Sequence, residues 1–144
     1  MEEESVTATT PPVSPPAGAA AAKTAAADDA FGADLYRLLS EDAPDTVFSP
    51  VSVAGVLRMA LCGAHGQTAA ELASALHGSP DAAPEGLRAV SAVVREVAAG
   101  GSVTFLAPSM MWVQSGLTLR PGFTAELLAA AASVVDVDFD TGIR

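Results

Sequence analysis

The segment Pro-Val-Ser-Val-Ala-Gly-Val-Leu-Arg-Met-Ala-Leu-Cys-Gly, residues 50–63, constrains this chain more than any other. Val53, Val56, Leu57, Met59, Ala60 and Leu61 follow one another with Arg58 as the one charged side chain. Wound into a helix, the segment is apolar around most of its circumference, so it has to be buried on more than one side. Its ends are marked. Ser49 can cap free backbone N–H groups, Pro50 fits the first helical position, and Gly63 is a natural stop. Whatever surrounds residues 50–63 must therefore supply apolar faces to cover them.

The flanking sequence supplies such faces. Phe31, Leu35, Leu38 and Leu39 recur on one stripe of an amphipathic helix, with Asp28 or Asp29 as its cap and Pro44 bounding its end. Thr46-Val47-Phe48 reads as a short extended lead into Ser49-Pro50. Thr68-Ala-Ala-Glu71 matches a capping box, which predicts a third helix over about 69–77 with Leu72, Ala75 and Leu76 on its face and Gly78 at its end. Leu87, Val90, Val93, Val94 and Val97 predict a fourth helix, closed by Gly100-Gly101.

From Ser102 the period shortens. Val103–Leu106 and Met110–Val113 suggest a strand broken at Pro108, with Met110, Met111 and Trp112 buried beneath covering helices. Pro121 starts a short helix through Phe123, Leu127 and Leu128. Val135, Val137 and Phe139 then alternate with Asp136, Asp138 and Asp140, the pattern of a strand with one buried and one wet face. Four helices followed by strand, helix and strand make the fold class α+β.

Residues 1–27 differ from the rest. They combine Pro, Ala, Thr and Ser with almost no large apolar side chains, a composition that predicts a disordered tail before a domain over 28–144. The start is acidic and proline-rich where a secretory signal places basic residues and an apolar core, so no export signal is visible and a cytoplasmic location is favoured. A net charge of -10 disfavours nucleic-acid and anionic-membrane partners. Cys62 is the one cysteine; set in an apolar run, it reads as a buried structural thiol.

No chemistry-bearing constellation emerges. His65 lies in a Gly-rich turn and His77 near a helix end, positions that suit solvated or capping imidazoles. The three aspartates after Val135 read as the wet face of a strand, and no metal spacing accompanies either histidine. Gly63-Ala-His-Gly-Gln-Thr68 lacks the Gly-Lys-Ser/Thr core of a phosphate loop and follows a helix. The reading is accordingly non-enzymatic: no catalytic residues, no metal and no cofactor.

Several pieces together resemble the opening of the serpin (serine protease inhibitor) fold: Phe31-Gly-Ala-Asp-Leu-Tyr36, Val47-Phe-Ser-Pro-Val-Ser-Val53, and Gly63-Ala-His-Gly-Gln-Thr68 with Glu71-Leu72. Met111-Trp-Val-Gln-Ser-Gly-Leu-Thr-Leu119, Pro121, Phe123 and Val137-Asp-Phe139 are similar to the family's next strand, helix and strand. Asp45 and Pro108-Ser109 depart from the family pattern, which usually has an asparagine and an Ala-Asn pair there. The resemblance implies a partial serpin domain, helices followed by the first strands of a large mixed sheet. It places a structural motif beneath that sheet, comprising Ser49, Pro50, Ser52, Gly63, Gly66 and Thr68. It also implies a serine protease as partner of a full-length form. The reactive loop of the family lies near the C-terminus, beyond these 144 residues, so this chain is expected to be inactive alone. The alternative reading is a non-inhibitory binding fragment that associates with itself or a partner through exposed apolar helices.

Overall fold

Ser49 begins the central helix as its side chain suggests. The computed structural model describes residues 18–41, 45–100, 109–130 and 132–140. In it Ser49 is extended and accepts a bond from the Ser52 N–H, Pro50 occupies the first turn, and helix α2 runs Pro50–Gly63. Before it lies α1, Gly18–Ser40, and after it come α3, Gly66–Ala75, and α4, Ala83–Gly100, joined through a 3-10 turn at Pro80–Ala82. Strand β1, Ser109–Gln114, is followed by α5, Pro121–Ala129, and by β2, Ala132–Val137. β1 and β2 pair in parallel, Ser109 opposite Ala132 and Gln114 opposite Val137. A parallel pair needs a crossover, and α5 lies within that connection.

The apolar character of α2 is used on two sides. Ala54 and Leu61 join Phe31 of α1 with Ala69, Ala73 and Leu76 in one buried cluster. Met59 turns the other way, into a second cluster with Leu87 of α4, Leu127 and Ala130 around α5, and Ala132 of β2. Val53 and Val56 on the remaining side are exposed, as is Val51 in the first turn. Gly32 lets α1 approach closely, since a Cβ there would lie 2.9 Å from the Pro50 ring. Thus the Phe31-Gly32 and Ser49-Pro50 motifs meet in space.

Several expectations need correction. The lead-in to residue 27 is not disordered over its last part: α1 begins at Gly18, well before Asp28 or Asp29, and residues 1–17 lie outside the described residues. Alanine is the best helix former, and this alanine-rich start of α1 packs on α4, where Ala89 is buried. Asp28 is not a cap; it is buried inside the helix. Leu38, at 68% exposure, and Leu39 leave the expected stripe and face solvent. The capping box does not form. Helix α3 starts at Gly66, whose φ of 59° suits glycine, so Thr68 already lies inside the helix and Glu71 accepts from Gln67 at 2.7 Å. Its buried face is Ala69, Ala73 and Leu76, whereas Ala75 is exposed.

Gly78 does not take the left-handed position after α3; His77 does, at φ 50°. The Gly78 N–H bonds the Ala73 carbonyl at 2.9 Å and the His77 N–H bonds the Ser74 carbonyl at 3.1 Å, the paired bonds of a Schellman cap. The sheet also differs. Met111 and Val134, opposite one another, pack on the helices together with Ala132. Side chains alternate along a strand, so Met110, Trp112, Val135 and Val137 belong to the opposite face. Trp112 is 51% exposed and Met110 is exposed as well, contrary to the expected burial. Phe139 lies beyond the strand and is exposed. The suggested strand segment at 103–106 lies outside the described residues.

Candidate functional site

The residues singled out by motif fall into two groups at opposite ends of α2. Ser49, Pro50 and Ser52 sit at its start. The Ser49 hydroxyl accepts from the Ser52 N–H at 3.3 Å and from the Ser52 hydroxyl at 2.9 Å, so the two serines form one local unit. They open onto a groove of about 480 Å³ between α2, α4 and the beginning of β1, with Val90, Val94 and Arg95 on one wall and Ser109 and Met110 on the other. Ser91, also in this groove, donates to the Ala130 carbonyl at 2.8 Å and ties α4 to the end of α5. The serine pair therefore faces the entry of the strand.

Gly63, Gly66 and Thr68 lie at the other end, roughly 20 Å away along a helix of this length. Gly63 serves packing: a Cβ there would come within 3.1 Å of the Phe123 ring of α5. Gly66 supplies the left-handed first residue of α3, and Thr68 is exposed. The six residues thus fall into two separate groups, a serine cap and the turn from α2 into α3, and not into one pocket.

Nearby titratable groups have structural partners. His77 contacts Asp34 of α1, Nε2 to Oδ2 at 2.7 Å, which joins the end of α3 to α1. That bond and the Arg37 guanidinium hold the Asp34 carboxyl below its ordinary value. His65 Nε2 faces Arg120 Nη1 at 2.6 Å, which links the start of α3 to that of α5. Cys62 is half-buried, and burial together with Glu126 pushes its thiol up to about 11, against the opposing pull of Arg88. Such a thiol is a poor nucleophile at neutral pH. Among the described residues no group of three or more His, Cys, Asp or Glu could hold a metal ion, and no helix is long and apolar enough to cross a membrane.

One pair escaped the sequence reading. The Arg58 Nη2 donates to Asp28 Oδ1, both side chains being buried, and Arg58 Nη1 has no partner among the described residues. Gly86 of α4 makes room for this, since a Cβ there would lie 3.1 Å from Arg58 Nε. The signal was present: a lone cation on an apolar helix requires a carboxylate nearby.

Comparison with known proteins bears on what this scaffold is. Among protein-family models, the one described as Serpin (serine protease inhibitor) matches residues 26–143. The protein Iris of Ixodes ricinus is 47% identical over 55 residues, which covers 35% of this chain and 15% of that protein. Ipis-1 of Ixodes persulcatus shows the same identity over the same extent. The matched stretch thus spans about 15% of the length of each of these curated relatives. No solved structure matches. With the family match covering most of the residues, and with the Phe31-Gly32, Ser49-Pro50 and Gly63 motifs in mutual contact or packed on α5, this chain belongs to the serpin family.

Proposed function

We propose that this chain is the helical base and first sheet strands of a serpin-type inhibitor of serine proteases, and that the 144 residues by themselves do not inhibit. The observation that carries the reading is the half-covered sheet. Two parallel strands are packed by helices on one face, while the other face presents Met110 and Trp112 to solvent. Parallel strands are ordinarily covered on both faces, and a two-stranded sheet has little stability of its own. Such a face fits a larger sheet in which further strands and helices complete the cover. In this reading Ser49, Pro50 and Ser52 support the sheet from below, Gly63 seats α5, and Gly66 and Thr68 belong to the start of α3 next to it. The partner of the full-length form is a serine protease, and the inhibitory step is insertion of a cleaved loop into the sheet, with release of stored strain.

An inhibition assay against trypsin-like and subtilisin-like proteases tests this directly. The 144-residue chain is expected to leave both active and to form no detergent-stable complex, whereas a longer polypeptide carrying a reactive loop is expected to form one with at least one protease. A stable complex with the short chain overturns the claim of inactivity. Failure of every longer form overturns the inhibitory role and leaves the scaffold reading standing.

A second reading has its own observation. Val51, Val53 and Val56 on α2 and Val93 and Val97 on α4 are exposed large apolar side chains. Burying each fully is worth about 1.5–3 kcal/mol, enough to drive association of the isolated chain with itself or another protein. Light scattering across a dilution series separates the two: a concentration-independent monomer removes the association reading.

A further inference from the structure

We propose that a second groove, between α1 and α4 and sharing Val51, Val90 and Val94 with the sheet-facing one, binds a small amphiphile with one cationic head and an apolar body. It has a volume of about 340 Å³, within the range of small-molecule pockets. Ala21 and Ala25 of α1, one helical turn apart, present methyl groups where larger side chains would close the gap. Val90, Val93 and Val94 of α4 form the opposing wall, with Val51 at the start of α2. The apolar walls suit an alkyl or aryl body.

Three polar residues interrupt these walls: Thr24, Asp28 and Asp29. Asp28 is taken up by Arg58. Asp29 and Thr24 have no hydrogen-bond or ion-pair partner among the described residues. One open carboxylate, that of Asp29, at the edge of an apolar cleft is the complement of an ammonium group. The same carboxylate repels an anion, and the net charge of -10 adds to that. A bare metal ion is not served either, because among the described residues no three ligating side chains converge. The start of α2 offers little competing attraction for anions, since Ser49 already caps it. This groove involves none of the residues assigned to protease inhibition apart from its proximity to the start of α2, so the inference stands or falls separately from that role.

The test uses the 144-residue chain, 15N-labelled, with three probes of one shape: 1-naphthylmethylamine, 1-naphthalenemethanol and 1-naphthoate. The amine is expected to shift the amides of residues 21–29 and 89–94 on saturation. Its affinity is expected to exceed that of the alcohol by roughly two- to fivefold, the usual reach of a partly exposed charge contact, with naphthoate weaker still. That preference is expected to shrink in high salt. Asp29→Asn should abolish the preference while leaving the alcohol unchanged, and Ala25→Phe should weaken amine and alcohol alike by filling the groove. Ala25 and Asp29 are exposed, so both variants are expected to fold. Equal binding of the three probes, a preference that survives Asp29→Asn, shifts centred on β1 near Trp112, or no binding at all would each overturn the proposal.

Discussion

Asp28→Leu is the most informative single perturbation of this scaffold. The Asp28 and Arg58 side chains are 7% and 6% exposed, and Arg58 Nη1 has no partner among the described residues. Asp28 is thus the one counter-charge the described structure provides for a buried guanidinium. Removing it leaves that charge stranded between α1, α2 and α4, a loss of about 3–5 kcal/mol. Against the ~5–15 kcal/mol that keeps a typical domain folded, this is severe. The double variant Asp28→Leu with Arg58→Met replaces the pair by apolar groups of similar reach. It is expected to be close to neutral or even stabilised, since desolvation of a buried pair offsets most of its attraction. Urea unfolding followed by circular dichroism measures all four corners of the cycle, provided the m-values agree. A single Asp28→Leu loss under about 1 kcal/mol, or a double variant as weak as the sum of the two singles, would refute the argument that the pair is buried and mutually dependent.

Other expectations are briefer. Gly63→Ala should destabilise by about 1 kcal/mol because its Cβ meets the Phe123 ring, whereas Gly55→Ala in the same helix, with open space around its Cβ, should stabilise by roughly 0.5–1 kcal/mol; thermal unfolding of the two variants checks the contrast. Ser49→Ala removes the cap of α2 and should cost about 1 kcal/mol in the same assay. The Asp34 carboxyl, held below its ordinary value of 3.8 first by His77 and then by Arg37, contributes stability that is present above that ordinary value and lost as the pH falls through the depressed one. In His77→Gly, an NMR titration should find Asp34 moved upward, while the left-handed residue after α3 loses its strain. Cys62, raised from 9.0 to about 11, should carry about a hundredfold less thiolate than a free thiol and react with iodoacetamide correspondingly slowly until urea unfolds the chain.

Much of the helical base was legible because its signals are local. Ser49-Pro50 and Gly63 bound α2 where the structure does, and Pro121 marks the first residue of α5. Two-sided burial of α2 followed from its composition alone. What escaped depends on partners distant in sequence. The alanines of residues 18–27 looked too poor in apolar area to order, yet they need only lie against α4 to stay helical. Thr68-x-x-Glu71 has the form of a capping box, but Gly66 can adopt a left-handed backbone and starts the helix two residues earlier. In β2 the Val-Asp alternation pointed to Val135 and Val137 as the inner face. The small Ala132 and Val134, set beside Met111, form it instead. Of the site, the serine pair at the start of α2 was visible in the motif. Its counterpart Asp28–Arg58 was not, because it joins residues 30 apart across two helices.

Trp112 is the chain's one tryptophan, and it sits on the sheet face that helices leave open. Acrylamide quenching of its fluorescence in the monomeric 144-residue chain therefore tests the half-covered sheet directly. Ready quenching in this chain, with strong protection of the same indole in a longer polypeptide that supplies further strands, is the expected result. Protection already present in the isolated monomer at every dilution would contradict it.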